Sequence, residues 1–356
     1  MKAMIMAAGV GSRLMPLTVE VPKPMIPMAN RPLMESIVNL LNAHQFDDVI
    51  ANLHYHAAAI SGYFGNGEAF GLKMQYSLEE ELKGTAGGVK NCEGFLNETF
   101  AVVSGDALTD IDLTALLAAH RKNGALATIA MKKVDDMEQF GVVVHNDAGK
   151  IERFQEKPKR EEALSDMANT GIYIFEPEIF KYIPARQFYD FGKQVFPHLV
   201  KIKAPFYGTP IQDYWCDIGN INTYRQAHKD VLSGYVRTKT ERIIINGHSD
   251  ARVLCGEDTR IGKDVVFSGS IVIGSRCVIE DGAHLSNCVI WDDTVIGENS
   301  SLLDCVVGSS CQIGRQVTVN SGAVVASRCH LEDGAEIKAG QKVFVNTSGL
   351  LQLDQG

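Results

Sequence analysis

The sequence predicts an α/β protein in two parts, a parallel-rich sheet flanked by helices and then a parallel β-helix. Two periodicities predict this division. Over residues 1–233 short apolar runs alternate with amphipathic stretches, and beyond about Ile243 bulky apolar residues recur roughly every six positions. Alternating strands and helices are typical of a parallel sheet covered on both faces. A six-residue repeat is typical of a β-helix, in which each hexad supplies one strand of a three-sided coil.

Strands and helices alternate along the first part. The apolar runs predict strands at Ala3–Met6, Asp48–Leu53, Lys73–Ser77, Phe100–Val103, Ala127–Met131 and Thr170–Phe175. The amphipathic stretches predict helices at Pro32–His44, Leu113–Arg121 and Ile221–Leu232. Asn30 and Pro32 lie near the start of the first helix and Asn220 precedes the last, in agreement with residue preferences at helix N-termini.

Two columns of residues define the repeat in the second part. The bulky column is Ile261, Phe267, Ile273, Ile279, Leu285, Ile290, Ile296, Leu302, Val307, Ile313, Val319, Val325, Leu331, Ile337 and Val343. Four places after each of these, up to Leu331, stands a small or β-branched residue: Val265, Ile271, Cys277, Ala283, Val289, Thr294, Ser300, Val306, Cys311, Val317, Ala323, Cys329 and Ala335. We interpret both columns as interior positions of about five coils, stacked at ~4.8 Å into a prism roughly 24 Å tall.

Composition narrows the possible functions. The chain has 356 residues, 34 Lys and Arg against 43 Asp and Glu, and a net charge of −9. An acidic surface repels a polyanion, so no nucleic-acid partner is expected. No apolar run approaches the roughly 20 residues that span a bilayer, and residues 1–8 lead directly into Gly9 without the apolar region of a signal peptide. We therefore expect a cytoplasmic protein that binds no membrane.

The eight cysteines do not predict a metal site. They include no Cys-x-x-Cys pair and no Cys/His set with zinc spacing. Free cysteine is among the most buried residue types and stays reduced in the cytoplasm. We expect these thiols to act as small buried apolar groups.

Glycines follow the first predicted strand, in the segment Ala8-Gly9-Val10-Gly11-Ser12-Arg13-Leu14. Glycine lets backbone N–H groups approach a phosphate closely. A nicotinamide-binding turn would need a third glycine where Leu14 stands and an acidic residue where the second strand ends at Leu53-His54. A P-loop would need Lys-Ser or Lys-Thr after its last glycine, and this pair is missing from the sequence. The remaining interpretation is a longer loop in which the cations Arg13 and Lys23 bind a triphosphate.

Two aspartates stand where ligands commonly bind. Gly105-Asp106 follows the predicted strand Phe100–Val103, and open α/β sheets bind ligands at the carboxyl ends of their strands. Asp217 lies in Trp215-Cys216-Asp217-Ile218-Gly219, just before a predicted helix. Mg²⁺ is commonly held by one or two carboxylates together with substrate phosphates. We therefore predict that Asp106 and Asp217 bind Mg²⁺.

Eight short segments, in order, carry a family resemblance: Gly9-Val10-Gly11-Ser12-Arg13-Leu14, Pro22-Lys23-Pro24-Met25, Asn30-Arg31-Pro32, Gly84-Thr85-Ala86-Gly87, Gly105-Asp106, Glu156-Lys157-Pro158, Asn169-Thr170-Gly171-Ile172-Tyr173 and Trp215-Cys216-Asp217-Ile218-Gly219. The part of the chain that they span resembles the sugar-phosphate nucleotidyltransferases. The whole chain is similar to the mannose-1-phosphate guanylyltransferase branch of that family, which ends in a β-helix.

The resemblance implies a fold and a domain organisation. It implies a Rossmann-like nucleotidyltransferase domain with a mixed, mostly parallel sheet, followed by a left-handed parallel β-helix; the handedness does not follow from the hexads. We expect the catalytic domain over 1–235, a linker over 236–245, the β-helix over 246–347 and a tail over 348–356. The β-helix is expected to mediate homo-oligomerisation or to position the catalytic domain. Leu350, Leu351 and Leu353 are expected to cap its last coil or contact a second subunit.

The resemblance also implies roles for individual residues. The residues expected at the nucleotide are Ala8, Gly9, Gly11, Ser12, Arg13, Lys23, Gly84, Thr85 and Asp106. Those expected at the sugar phosphate are Gly141, Glu156, Lys157, Asn169 and Gly171. Arg13, Lys23, Asp106 and Asp217 are the expected catalytic residues, with Arg13 on the leaving pyrophosphate and Lys23 near the α-phosphate. Glu156 is expected to accept hydrogen bonds from sugar hydroxyls, and Lys157 to hold the sugar phosphate.

The implied reaction joins a nucleoside triphosphate and a hexose 1-phosphate, with release of pyrophosphate. Overall similarity favours GTP and mannose 1-phosphate. The family's guanylyltransferases usually read Pro-Leu before Gly-Thr-Ala, where this chain has Leu82-Lys83, so thymidylyl, uridylyl or adenylyl transfer to glucose 1-phosphate is an alternative.

Two further alternatives concern other classes of function. One is a regulatory subunit that binds a sugar nucleotide without turning it over. The other is a bifunctional enzyme in which His284 or His330 of the β-helix acts as the general base of an acyl transfer. His54 and His56 are interpreted as loop residues without a catalytic role.

Overall fold

The computed structural model describes residues 1–238, 243–245, 251–345 and 351–355. The chain forms two compact units. The first unit combines Met1–Val10 with Met34–Asp217, and the second combines Gly11–Leu33 with the chain from Ile218 onward. Each unit therefore draws on two separate parts of the sequence.

Short strands and helices alternate as far as residue 232. The helices are α1 (Leu33–Ala43), α2 (Ala57–Phe64), α3 (Gly84–Asn91), α4 (Leu113–Lys122), α5 (Phe196–Lys201) and α6 (Ile221–Leu232). The strands of this region are β1 (Lys2–Met6), β2 (Pro27–Met28), β3 (Arg31–Pro32), β4 (Asp48–Leu53), β5 (Lys73–Leu78), β6 (Phe100–Ser104), β7 (Ala107–Thr109), β8 (Ala127–Lys133), β9 (Gly141–His145), β10 (Ile151–Glu156), β11 (Met167–Phe175), β12 (Phe206–Pro210) and β13 (Trp215–Asp217).

In the first unit, nine of the described strands form one mixed sheet in the order β10-β9-β11-β6-β1-β4-β5, with β8 paired to β11 and β12 to β8. Strands β6, β1, β4 and β5 run parallel, whereas β11 is antiparallel to β6, β8 and β9. The six predicted strands are all present, and the expected mixed sheet is confirmed. The antiparallel hairpin β9–β10 was not part of the prediction.

The register of the parallel strands places their carboxyl ends together. Met6 at the end of β1 pairs with Asn52 in β4 on one side and with Ser104 at the end of β6 on the other. Apolar strands of this kind pack on both faces, and β1 and β6 are buried along almost their whole length. The segments that follow β1, β4 and β6 therefore begin at one edge of the sheet.

The first helix begins one residue later than predicted. Arg31–Pro32 form β3, which pairs antiparallel with Pro27–Met28 in β2, so α1 starts at Leu33. The predicted cap of α6 is confirmed. The side chain of Asn220 accepts a hydrogen bond from the N–H of Thr223 at 3.0 Å, and the hydroxyl of Thr223 accepts one from the N–H of Asn220 at 3.1 Å.

The second unit contains a parallel β-helix. Its strands are β14 (Ile243–Ile245), β15 (Arg252–Cys255), β16 (Arg260–Ile261), β17 (Val266–Ser268), β18 (Ser270–Ile273), β19 (Val278–Ile279), β20 (His284–Ser286), β21 (Val289–Ile290), β22 (Val295–Ile296), β23 (Ser301–Leu303), β24 (Val306–Val307), β25 (Gln312–Ile313), β26 (Thr318–Val319), β27 (Val324–Val325), β28 (His330–Leu331), β29 (Glu336–Ile337), β30 (Gln341–Val345) and β31 (Leu351–Gln355).

These strands form three sheets among the described residues, two of five strands and one of eight. The five-stranded sheets match the expected number of coils. In the eight-stranded sheet, β14 and β31 pair antiparallel with β15 and β30, and so cover the strand edges at the two ends. Leu351 and Leu353 of the expected cap belong to β31, whereas Leu350 and residues 239–242 of the expected linker lie outside the described residues.

The interior of the coils corrects the assignment of three residues. Ile261 of the bulky column is 45% exposed and lies outside the apolar cluster that fills the coils. The continuous apolar cluster includes Cys288 and Cys305 but not Val289 and Val306, which are buried elsewhere. The bulky column has five-residue intervals here, from Leu285 to Ile290 and from Leu302 to Val307. The small inward residue stands two positions before the next bulky residue, and that position is a cysteine in both intervals. All eight cysteines are free thiols, and Cys277, Cys311 and Cys329 are buried as predicted.

Helix α6 and the segment Gly11–Leu33 pack with the β-helix in the second unit. Arg225 forms an ion pair with Asp304 at 2.7 Å, and the side-chain amide of Asn30 donates to the carbonyl of Ile273 at 2.8 Å. His228, on the same helix, is 2% exposed. The second unit is therefore more than a repeat domain, since it also contains the segment Gly11–Leu33 and helix α6.

Burial makes His228 a source of acid sensitivity. Desolvation lowers its pKa from the ordinary value of 6.5 to about 3. The unfolded chain therefore binds a proton below pH 6.5 that the folded chain excludes, and the free energy of unfolding falls as the pH drops from 6.5 toward 3. We expect a loss of about 3 kcal/mol by pH 4.

Urea unfolding measured between pH 7 and pH 4 checks this expectation. His228→Gln should flatten the pH dependence, whereas His284→Gln, at an exposed histidine of the β-helix, should leave it as in the wild type. Equal slopes for the wild type and His228→Gln would contradict the assignment.

No helix among the described residues is both long enough and apolar enough to cross a membrane.

Candidate active site

A cleft at the carboxyl edge of the sheet is lined by residues from five segments of the first unit. It has a volume of about 270 Å³. Five residues predicted to bind the nucleotide line it: Ala8, Gly9, Gly84, Thr85 and Asp106. The lining residues that were not predicted are Met6, Asn52, Glu79, Leu82, Ser104 and Phe188. The structure thus brings together residues that are up to 182 positions apart in the sequence, from Met6 to Phe188.

Two glycines of this cleft differ in their surroundings. A Cβ at Gly9 would meet no atom within 4 Å, so the backbone after β1 is open to a ligand. Gly84 has a φ of +75°, and a Cβ there would lie 2.6 Å from the carbonyl oxygen of Tyr189. Gly84 therefore allows α3 to start close to the segment that carries Phe188 and Tyr189.

A buried acid that sequence reasoning missed organises the inner wall. Asn52 accepts a hydrogen bond from the N–H of Ala7 at 2.9 Å and donates to Glu79 Oε1 at 2.6 Å. Glu79 Oε2 accepts from the N–H of Lys83 at 3.0 Å, at the start of α3. Asn52 and Glu79 are 5% and 3% exposed, so this network ties the loop after β1 to the ends of β4 and β5.

The two predicted metal ligands are neighbours in the structure. Strand β13 pairs antiparallel with β7, and Asp217 stands opposite Ala107, the residue that follows Asp106. Directly opposed Cα atoms in such a pair lie about 4.5–5.5 Å apart. Both aspartates are half-buried, and Asp106 Oδ1 accepts a hydrogen bond from Ser104 at 2.6 Å. The pairing of β7 with β13 therefore brings together two aspartates that are 111 positions apart in the sequence.

Polar contacts fix the position of β13. Asp110 accepts a hydrogen bond from the N–H of Tyr214 at 2.8 Å, and Thr109 donates to the carbonyl of Tyr214 at 2.7 Å. The indole N–H of Trp215 donates to the carbonyl of Thr170 at 3.0 Å. The strand that carries Asp217 is thus held from β7 and from β11.

The two aspartates suit Mg²⁺. This ion keeps several waters and is usually bound by one or two carboxylates plus substrate phosphates. Within the ranges that the structure describes, no group of three or more His, Cys, Asp or Glu side chains could hold an ion by itself. Asp106 and Asp217 fit an ion that takes its remaining ligands from a polyphosphate and water.

The residues predicted for the sugar phosphate lie on β9, β10 and β11. Glu156 pairs with Gly141 across the β9–β10 hairpin, and a Cβ at Gly141 would lie 3.2 Å from Glu156 Oε2. Lys157 has a φ of 46°, and its N–H donates to the carbonyl of Phe140 at 3.2 Å. The hairpin therefore presents a carboxylate and an ammonium group from adjacent positions.

Asn169 and Gly171 lie at an irregularity in β11, where the pairing with β8 is interrupted between Asn169 and Tyr173. Asn169 Nδ2 donates to the hydroxyl of Tyr173 at 3.0 Å, and Oδ1 accepts from the N–H of Gly171 at 3.1 Å. Gly171 has a φ of +76°, and a Cβ there would lie 3.2 Å from that of Ser104. Gly171 thus lies directly beside a residue that lines the cleft.

Asp190 links the two groups of predicted residues, and sequence reasoning missed it. Its Oδ2 accepts a hydrogen bond from Thr85 at 2.9 Å, and its Oδ1 accepts from the N–H groups of Gly192 and Lys193. Burial, together with the negative charge of Asp190, raises the pKa of Glu156, while Lys157 and Lys193 oppose the shift. An aspartate one residue before Phe-Gly was the available signal, since such a residue commonly caps a helical turn.

The other predicted nucleotide residues, Gly11, Ser12, Arg13 and Lys23, belong to the second unit. Gly11 has a φ of +70°, and a Cβ there would lie 2.8 Å from that of Lys23. Thr18 donates to the carbonyl of Gly11 at 3.0 Å, which closes the loop. Lys23 is 6% exposed, whereas Ser12 and Arg13 are exposed. Gly11 and Lys23 are therefore adjacent, although twelve positions separate them in the sequence.

Comparison with protein families decides the assignment of the chain. A model described as nucleotidyl transferase matches residues 2–234. The chain belongs to the nucleotidyl transferase family. A second model, described as the LbH domain of the EIF2B epsilon subunit, matches residues 238–337. The C-terminal β-helix of this nucleotidyltransferase is therefore left-handed, as the resemblance implied.

Several curated relatives of this nucleotidyltransferase match along most of its length. A UTP–glucose-1-phosphate uridylyltransferase from Synechocystis is 40% identical over 91% of this chain and 90% of its own length. A mannose-1-phosphate guanylyltransferase from Mycobacterium tuberculosis is 32% identical over 82% of this chain and 79% of its own length. These relatives share a reaction type and differ in base and sugar.

A solved structure supports the fold of this nucleotidyltransferase. A Bacillus anthracis protein, provisionally described as a glucose-1-phosphate thymidylyltransferase and crystallised with sucrose, superimposes with a TM-score of 0.60 at 24% sequence identity. The match covers 68% of this chain and 97% of the other. The family assigns an enzyme that transfers a nucleotidyl group, and the residues described above are its candidate machinery.

Proposed function

We propose that the protein transfers a nucleotidyl group from a nucleoside triphosphate to a sugar 1-phosphate, giving a nucleoside diphosphate sugar and pyrophosphate. The pairing of β7 with β13 carries this proposal, because it brings Asp217 beside Asp106 at a cleft lined by Ala8, Gly9 and Thr85. Carboxylates beside an open glycine backbone suit a polyphosphate that binds with a divalent cation. The curated relatives, which are named for this type of reaction, support it further.

The chemistry is an in-line displacement. An oxygen of the sugar phosphate attacks the α-phosphorus, a new P–O bond forms there, and the bond to pyrophosphate breaks. The nucleophile is already ionised at neutral pH, so no general base is needed, and catalysis comes from positioning and from stabilisation of negative charge.

This chain supplies cations and hydrogen-bond donors for that purpose. We assign Arg13 to the leaving pyrophosphate, Lys23 to the α-phosphate and Lys157 to the sugar phosphate. The backbone of Gly9 and Gly11 approaches the triphosphate, with the hydroxyl of Ser12 following. When bound at Asp106 and Asp217, Mg²⁺ supplies positive charge between the two anionic substrates.

Both an acidic group and basic groups are assigned to the sugar site. We assign Glu156 as acceptor for sugar hydroxyls, with Asn169, Gly141 and Gly171 lining the same pocket. Since burial and Asp190 raise the pKa of Glu156, the carboxylate is protonated at a higher pH than an exposed glutamate. Lys157 and Lys193 counteract this, so the sugar site keeps an acceptor beside cations.

For the base and the sugar, we propose uridine and glucose, because the uridylyltransferase from Synechocystis is 40% identical over 91% of the chain. Leu82-Lys83 before Gly84, in place of the Pro-Leu of guanylyltransferases, agrees with this choice. Guanine and mannose are the second candidate pair, since relatives named mannose-1-phosphate guanylyltransferase also match, at 27% and 32% identity.

A pyrophosphate-release assay tests the proposal. The purified protein is incubated with Mg²⁺ and each pairing of UTP, GTP, dTTP or ATP with glucose 1-phosphate or mannose 1-phosphate, and the products are identified by mass spectrometry. We expect the highest kcat/KM for UTP with glucose 1-phosphate. The highest value for GTP with mannose 1-phosphate would select the second pair. Binding of sugar nucleotides without pyrophosphate release in any pairing would instead support a regulatory subunit.

The alternative of acyl transfer by the β-helix gains no support from the geometry. His284 lies on β20 and His330 on β28, which belong to different sheets. Both side chains are exposed, and His330 lies 3.3 Å from Glu332.

A further inference from the structure

A chain of hydrogen bonds runs from the β-helix through α6 to the segment that carries Lys23. The indole N–H of Trp291 donates to the hydroxyl of Tyr224 at 3.0 Å. That hydroxyl in turn donates to the carbonyl of Pro27. Trp291 and Tyr224 are 2% and 0% exposed, so the indole N–H and the phenol hydroxyl pair away from water. Loss of one member would leave buried polar partners unpaired.

Pro27 is connected to Lys23 through a short and regular piece of backbone. Lys23–Met25 form a single 3-10 turn, and the N–H of Ile26 donates to the carbonyl of Lys23 at 3.3 Å. The N–H of Leu33 donates to the carbonyl of Ile26 at 3.0 Å. Pro27 lies four residues after Lys23, and the backbone between them is held by these hydrogen bonds. We therefore expect a displacement of Pro27 to displace Lys23 as well.

Two further hydrogen bonds hold the next residues of the same segment. The N–H of Ala29 donates to His228 Nδ1 on α6 at 3.4 Å, and Asn30 donates to the carbonyl of Ile273 in the β-helix at 2.8 Å. Ala29 and Asn30 have φ values of 50° and 65°. Left-handed backbone at two successive non-glycine residues is unfavourable and persists only where the surroundings hold it.

The packing of Lys23 makes its position sensitive to this support. Lys23 is 6% exposed, and the Cα of Gly11 lies so close that a Cβ there would be 2.8 Å from the Cβ of Lys23. The stem of the side chain is thus fixed by its own backbone and by Gly11. Its ammonium group can be placed correctly only if the turn Lys23–Met25 is placed correctly.

We propose that Trp291 and Tyr224 are positioning residues for Lys23, so that the β-helix takes part in catalysis and is more than a scaffold. The consequence for the reaction rests on the proposed function, in which Lys23 binds the nucleoside triphosphate. The hydrogen bonds from Trp291 to Tyr224 and from Tyr224 to Pro27 fix the position of the turn Lys23–Met25 relative to α6 and the β-helix. Neither side chain contacts the substrates.

The variants Tyr224→Phe and Trp291→Phe test this role. Each removes a hydrogen-bonding group and keeps an aromatic ring. We expect kcat/KM for the nucleoside triphosphate to fall about ten-fold, since small misplacements of a binding group reduce rates strongly. KM for the sugar 1-phosphate should stay within two-fold of the wild type (roughly 0.4 kcal/mol).

Asp304→Asn is the matched control. It weakens the 2.7 Å ion pair with Arg225, which joins the same helix to the same β-helix but does not involve the segment of Lys23. We expect this variant to lower the Tm by as much as Tyr224→Phe or more, with normal kinetic constants. If all three variants lower the Tm and kcat/KM in the same proportion, the role is only structural and the proposal is wrong.

A double-mutant cycle identifies the group through which Tyr224 acts. Lys23→Ala combined with Tyr224→Phe should be no slower than Lys23→Ala alone, because both changes remove one effect. Multiplied losses in the double variant would overturn the proposal.

Chemical labelling separates this inference from the proposed function. Acylation of the Lys23 amine by an N-hydroxysuccinimide ester, followed by mass spectrometry, should be faster in Tyr224→Phe than in the wild type and unchanged in Asp304→Asn. This readout needs no turnover. If the wild type releases no pyrophosphate but the variants show this labelling pattern, only the proposed function is refuted. Equal labelling of the wild type and both variants would refute the positioning role.

Discussion

Asp106→Asn is expected to lower kcat by about 10²–10³-fold while the Tm changes little. The carboxylate lies at the cleft beside Asp217, and replacing it by a neutral amide removes charge that would bind Mg²⁺ and so weakens the stabilisation of the transition state. Steady-state kinetics at several Mg²⁺ concentrations measure this effect. The concentration of Mg²⁺ that gives half-maximal activity should rise as well.

The same change at Asp217 provides the second half of the experiment. If both carboxylates bind one ion, Asp106→Asn/Asp217→Asn should be little slower than the worse single variant, because residues that act as a unit are not additive. Asp147→Asn, at an exposed position of the β9–β10 turn, is the matched control and should retain wild-type kinetics. Unchanged kcat for Asp106→Asn in saturating Mg²⁺ would remove this residue from the metal site.

Gly192→Ala should raise KM for the sugar 1-phosphate by about 10- to 100-fold. A Cβ at this position would overlap Glu156 Oε2 and lie 2.9 Å from its Cδ. The end of a glutamate side chain is flexible, so the carboxylate moves and the protein still folds. The change in KM corresponds to about 1.5–3 kcal/mol, the usual contribution of a hydrogen bond to a charged group.

Kinetics with each substrate varied in turn separate this effect from general damage. KM for the nucleoside triphosphate should stay near the wild-type value for Gly192→Ala. Gly62→Ala, on α2, is the control, since a Cβ there meets no atom within 4 Å and the helix tolerates alanine. Equal rises in both KM values for Gly192→Ala would contradict a specific role of Glu156 at the sugar.

Some residues that line the candidate cleft were predictable, because their local chemistry is diagnostic. Glycines after a strand, such as Gly9, and an aspartate after a strand, such as Asp106, indicate ligand binding without knowledge of any contact. Asn52 and Glu79 carry no such signal, because their importance depends on a hydrogen bond between the ends of two strands. Asp190 escaped prediction for the same reason, since it acts on Thr85 across 105 positions of the sequence.

Five-residue intervals of the hexad repeat show a limit of pattern analysis. A rule that counts forward from the preceding bulky residue assigns Val289 and Val306 to the interior, whereas the coil places Cys288 and Cys305 there. The corner of a coil absorbs the missing residue, so the inward position keeps its distance from the following strand. Counting backward from the next bulky residue gives the correct assignment.

By itself the sequence determined the strands of the sheet, the coils of the β-helix and the chemical character of the binding segments. These follow from periodicity and local residue preferences, which act over a few positions. Only the tertiary structure decided that Asp217 lies beside Asp106, that Glu79 lines the cleft, and that Gly11–Leu33 packs with α6 and the β-helix in one unit. Such contacts join residues distant in the chain, and their free energy depends on burial and on hydrogen-bond partners that exist only once the chain has folded.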